Sequence, residues 1–135
     1  MGKIPEKLLN SFKEYLCRLE NIADSDGAYS LEAYSFVMSA LHFTLKELEE
    51  SRHLTGGELL RGIKTYAAEQ YGPMAHMVFN HWGVHDTLDF GKVVFKLVDA
   101  GFMTKTDEDS LDDFRDVYNF KEAFDQPLQR FFDDE

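Results

Sequence analysis

Three histidines, His76, His81 and His85, fall within ten residues of one another, and clustered imidazoles are the first place to look for a transition-metal site. Two ligands sharing a helix face stand four apart, as in H-E-x-x-H. Here His76 and His81 stand five apart, and Gly83 separates His81 from His85. The spacing favours packing or surface histidines over zinc, and His42 and His53 do not repair it. Asp24-Ser25-Asp26-Gly27 has the lettering of a calcium loop, but Ile22 occupies the place of the first ligand and Ala33 that of the closing Glu. It reads as a turn. Asp107-Glu108-Asp109 with Asp112-Asp113 offers carboxylates to a cation, and a solvated acidic turn explains them more simply. Asp89-Phe90-Gly91 matches a magnesium-binding motif of kinases, without the length, the Gly-rich loop or the strand lysine of one. Ser, Cys and His occur singly and outside any G-x-S-x-G elbow. No catalytic, cofactor-binding or metal residue is therefore assigned, and a non-enzymatic role is expected, with a small metal-dependent enzyme as an alternative.

Composition narrows the classes further. At 135 residues the chain is one domain's length, large enough to bury a core without metal or disulfide. Cys17 is the single cysteine, so no intramolecular disulfide forms. The formal charge is -11, and residues 106 to 135 carry eleven acidic and three basic side chains, a net of -8. Such a chain repels a phosphate backbone at long range. No apolar run follows the MGKIPEKLL start and no span suits a bilayer, so a cytoplasmic protein with no membrane partner is expected.

Five helices are legible as the scaffold. The first runs from about Pro5 to Asn21 with a stripe of Leu8, Leu9, Phe12, Leu16 and Leu19. The second follows Ser30, stapled by Tyr29 and Tyr34, is apolar on most sides, and ends in the charged run Lys46 to Glu50. Thr55 and Glu58 form an S/T-x-x-E capping box with Leu54 and Leu59 as its staple, which starts a third helix that Gly72-Pro73 stops. A fourth, from Pro73 to Trp82, is expected to pack Met74, Met77, Val78 and Trp82. The fifth is capped by Thr87, with Asp86 and Asp89 at its positive end. Gly101 ends it in a Schellman motif pairing Leu97 with Phe102. Phe102–Thr106 and Phe114–Phe120 then read as two short strands around the turn Asp107 to Ser110, with a helix through Phe114, Val117, Lys121 and Phe124 as the competing assignment.

Helices three to five followed by a hairpin have the order of a winged helix. The expected fold is mainly α: a single domain over residues 1–135, with a helical pair at 1–50, a winged-helix-like unit at 54–120 ending in a small β-hairpin, and an acidic tail at 121–135. The run HLTGGELLRGIKTYAAEQYGPMAHMVFNHWGVHDTLDFGKVVFKLVDAGFMTKTDEDSLDDFRDVYNF, with AYSLEAYSFVMSALHFTL before it, resembles a small family of uncharacterised bacterial proteins. The resemblance covers about residues 28 to 120, and TLDFG and EDSLDDF are its distinctive parts. It implies a bacterial, cytoplasmic protein and carries no activity with it.

A winged helix raises DNA as a partner, and a DNA-associated regulator is a second alternative. A recognition helix needs Arg, Lys, Asn or Gln in its first turns. This one opens with Asp86, Thr87, Leu88 and Asp89 and is followed by an acidic wing tip, so nucleic acid is disfavoured. The nineteen aromatic side chains, twelve of them Phe, exceed what five helical stripes need. Tyr118, Phe120, Phe124, Phe131 and Phe132 sit among acids, the composition of apolar anchors with a charged rim. The favoured expectation is a protein-interaction module whose partner is another polypeptide or a second copy, engaged through those five rings.

Overall fold

In the computed structural model the residues described are 6–48 and 53–125. The capping box forms as its spacing requires. Glu58 N–H donates to Thr55 Oγ1 and Thr55 N–H donates to Glu58 Oε1, both at 3.1 Å, and helix α3 (Gly56–Tyr71) starts there. Gly72–Met74 makes a single 3₁₀ turn, after which α4 (Ala75–His81) begins later than its sequence start at Pro73. Helix α4 buries Ala75 and Phe79. Met74 and Met77, expected to pack, are 42% and 63% exposed.

Helix α1 (Glu6–Asp26) continues through the expected Asp24-Ser25-Asp26 turn before Gly27, whose N–H closes on the Ala23 carbonyl at 3.1 Å. Of its apolar stripe, Leu19 is buried and Leu16 half-buried, while the side chains of Leu8, Leu9 and Phe12 lie outside those described. Helix α2 (Leu31–Glu47) buries residues on most of its circumference, Tyr34, Phe36, Val37 and Ala40 among them. Such a helix belongs at the centre. Helices α1 and α3 pack against it, and so does α5 (Thr87–Asp99). Tyr29 and Tyr34 meet edge to face at its start, 6.4 Å apart. Glu49 and Glu50, read as its charged end, lie outside the described residues.

Asp86, rather than Thr87, caps α5, accepting from Asp89 N–H at 2.8 Å. The end of α5 is the expected Schellman stop: Gly101 has φ +87°, Phe102 N–H donates to Leu97 O at 2.9 Å, and Gly101 N–H donates to Val98 O at 3.0 Å. The Ala100 carbonyl accepts from Arg18 of α1 at 2.6 Å, and the same guanidinium stacks 4.4 Å over Phe102. Helix α1 thus holds the end of α5.

Beyond Gly101 the expectation of a hairpin is overturned, because no strand occurs among the described residues. Three causes are visible. Ser110 and Asp113 cap each other's backbone and start a 3₁₀ turn, Leu111–Phe114, that takes in Phe114, the expected first residue of the second strand. Thr87, set free from capping, donates its hydroxyl to the Phe114 carbonyl at 2.6 Å and accepts from Val117 N–H at 3.2 Å, so it occupies groups that a partner strand would pair. Asp116 takes φ +51°, which breaks any extended run. Phe114 seats on Gly91, where a Cβ would come within 2.6 Å of the Phe114 Cβ. Without a wing, helices α3 to α5 do not complete a winged helix. The competing helix forms only in its second half: the Asn119 side chain accepts from Lys121 N–H at 2.9 Å and from Glu122 N–H at 3.2 Å, and a π-helix, Lys121–Asp125, follows among the described residues.

That C-terminal segment returns to the core. Phe79 lies 5.7 Å from Phe120, 5.4 Å from Phe124, 5.0 Å from Phe90 and 5.2 Å from Phe36, centroid to centroid. Rings at these separations and angles attract beyond their area burial by roughly 0.5–1.5 kcal/mol a pair. The surplus of aromatics is therefore partly structural.

Candidate functional site

The N-terminus of α3, the second half of α5 and residues 103–114 enclose a cleft of about 290 Å³. Each wall has a local cause. The capping box turns the chain into α3 and presents Leu54, Thr55, Gly56 and Leu59. The Schellman stop reverses the chain after α5, so that Met103, Thr104 and Lys105 run beside Val94 and Val98. Leu41 of α2 and Phe114 complete an apolar floor.

His53, Lys105, Asp109 and Asp113 line the cleft as well. His53 Nε2 and Asp109 Oδ2 are 2.6 Å apart. Asp109 Oδ2 also accepts from Thr106 N–H at 2.9 Å. That backbone bond first, and the His53 ring after it, hold the Asp109 carboxyl below its ordinary range against the opposing effect of burial. Asp113 accepts from Ser110 N–H at 3.0 Å. Lys105 Nζ reaches the Thr106 carbonyl at 3.4 Å. Residues 105 to 116 carry six acidic and two basic side chains, a net of -4. An apolar lining beside an acidic segment can take an apolar group and select the charge attached to it.

The residues singled out for chemistry disperse. His76 Nδ1 lies 3.0 and 3.1 Å from the two oxygens of Asp125 and its ring meets Phe120 edge on. His85 Nδ1 pairs with Asn80 Oδ1 at 2.8 Å, and His81 is exposed. No three His, Cys, Asp or Glu side chains converge to hold a metal among the described residues. In Asp89-Phe90-Gly91, Asp89 accepts from Tyr29 OH at 2.6 Å and from His85 N–H at 2.8 Å, Phe90 is buried in the core, and Gly91 receives Phe114. Burial first, and the Asp89 carboxylate next, push the Tyr29 phenol well above its ordinary range. The motif locks α5 to the start of α2.

Of the five rings expected at an interface, Phe120 and Phe124 are 3% and 2% exposed. They pack in the core of this chain. Tyr118 is half-buried, its hydroxyl donating to Leu60 O at 2.8 Å. Phe131 and Phe132 lie outside the described residues. The cleft residues Leu41, Met103 and Lys105 were missed, since Phe102–Thr106 reads as a strand and nothing local ties it to α2. The capping box and the Schellman pair were the signals pointing there.

Comparison of the chain with family models, with characterised proteins and with solved structures found no match. No helix among the described residues is long and apolar enough to cross a membrane.

Proposed function

We propose that the protein is an interaction module of the bacterial cytoplasm that seats the apolar anchor of a cationic polypeptide in the cleft between α3 and α5. One observation carries this reading: a cleft of about 290 Å³ with an apolar lining lies beside the acidic segment of a chain whose net charge is -11. Anchors in apolar pockets supply most of the affinity at polypeptide interfaces. Complementary charge at the rim supplies encounter rate and specificity. A second acidic copy is a poor partner on the same ground, and so is nucleic acid, whose regulator reading loses its motive with the wing. The family resemblance brings no activity, so geometry and charge bear the weight.

Two short peptides sharing a Leu-Phe anchor, one flanked by lysines and one by glutamates, test the proposal by amide-shift titration. The lysine peptide is expected to shift Val94, Val98 and Met103, to weaken as salt rises, and to lose binding in Met103→Lys. Equal binding of both peptides, or shifts centred away from these residues, overturns it.

A further inference from the structure

A second cleft, of about 190 Å³, opens between α2 and α3 beside the turn after α4. Phe36 of α2, 5% exposed, forms its base. Tyr66 and Tyr71 of α3 stand 5.4 and 6.0 Å from Phe36, tilted 36° and 37° to it. Trp82 lies 5.5 Å from Phe36 and meets Tyr71 at 79°. These four rings line the cleft at differing inclinations, together with Ser35, Ser39 and Gln70. Glu32, in the first turn of α2, lines the same cleft; it is exposed and has no partner among the described residues.

We propose that this cleft, walled by Phe36, Tyr66, Tyr71 and Trp82 with the Glu32 carboxylate at its edge, binds a small alkylammonium cation of the quaternary, choline-like class. Aromatic faces carry the negative end of the ring quadrupole and attract a cation within about 6 Å of the centroid. A metal ion does not fit that chemistry, because stripping its water demands oxygen, nitrogen or sulfur ligands. A quaternary ammonium is weakly hydrated and its methyl groups meet the rings directly. The volume of about 190 Å³ is below the roughly 300–1,000 Å³ of sites for drug-sized ligands, which points to a head group of a few heavy atoms. The net charge of -11 raises the local concentration of any cation. This cleft is separate from the one proposed to bind a polypeptide.

Trp82 is the only tryptophan, so its fluorescence and indole N–H resonance report directly on occupancy. Choline chloride and tetramethylammonium chloride are titrated at constant ionic strength against sodium chloride, with 3,3-dimethylbutan-1-ol as the uncharged isostere of choline. Saturable changes are expected for both cations, with the neutral isostere binding about tenfold more weakly. Glu32→Gln is expected to weaken the cations about threefold to fivefold. Tyr71→Phe, which keeps the ring, should bind like the parent, and Tyr71→Leu should lose most of the response. If Tyr71→Leu does not fold, Glu32→Gln and the isostere decide alone. Equal binding of choline and its isostere, a linear non-saturating response, or parental affinity in Glu32→Gln overturns the proposal. Met103→Lys, in the other cleft, is expected to leave choline binding unchanged.

Discussion

Thr87 shows how much one hydroxyl can organise. It sits at the first position of α5, fully buried, and ties both the Phe114 carbonyl and the Val117 amide to that helix. Thr87→Val keeps the shape and removes both bonds, leaving two backbone groups short of a partner, so a loss of about 2 kcal/mol is expected from urea midpoints. Thr87→Ser keeps the bonds and should lose less than half of that. Thr55 acts locally instead, and Thr55→Ala should cost about 1 kcal/mol at unchanged m-value. Asp109 adds a pH dependence whose sign is fixed. Its folded carboxyl titrates below the ordinary 3.8, so its bonds to Thr106 and His53 stabilise the fold above that pH and are lost as pH falls through the lower folded value. Asp109→Asn should therefore be less stable than the parent at pH 7, with the gap narrowing below pH 3.8.

At the scale of elements, the contact that decides the C-terminal half is Phe114 against α5. A Cβ on Gly91 would lie 2.6 Å from the Cβ and 2.7 Å from the Cγ of Phe114, atoms near the backbone that cannot swing aside. Alanine gains about 1 kcal/mol over glycine inside a helix, whereas overpacking costs typically 1–3 kcal/mol. The overlap wins here, because the clashing atoms belong to a buried ring that Thr87 also anchors through its carbonyl. Gly91→Ala is expected to lower the urea midpoint, and combining it with Phe114→Gly, which removes both clashing atoms, should cost less than the sum of the single changes. Additive losses would mean that Phe114 does not rest on Gly91.

For the whole molecule, charge and ring packing set the behaviour. A net charge of -11, with an acidic run beside the cleft between α3 and α5, leaves counterion release little to act through. Fluorescence anisotropy with mixed-sequence duplex DNA at physiological salt should show no binding at micromolar protein. Salt-sensitive submicromolar binding would instead place the lysines on one face and revive the regulator reading. The ring cluster around Phe79 joins α2, α4, α5 and the C-terminal segment. Truncating a ring so placed costs roughly 3–5 kcal/mol, so Phe79→Ala should unfold or nearly unfold the chain, read by loss of near-ultraviolet dichroism.

What the chain determines by itself is whatever closes within a few residues. The Thr55–Glu58 box, the breaks at Gly72 and Gly83 and the Gly101 stop were legible because donor, acceptor and turn lie three to five positions apart. The segment after Gly101 was not. Its alternation of Phe114, Tyr118 and Phe120 suits a strand, yet the groups that claim it, Thr87, Gly91 and Phe79, are distant in sequence and meet it only once α4 and α5 are packed. Tertiary contact also turned Phe120 and Phe124 inward and drew the Thr87 hydroxyl to Phe114 and Val117, while the Asp86 cap closes locally on Asp89 N–H. Both clefts are tertiary for the same reason: each is walled by separate helices whose facing residues carry no mark of one another in the sequence.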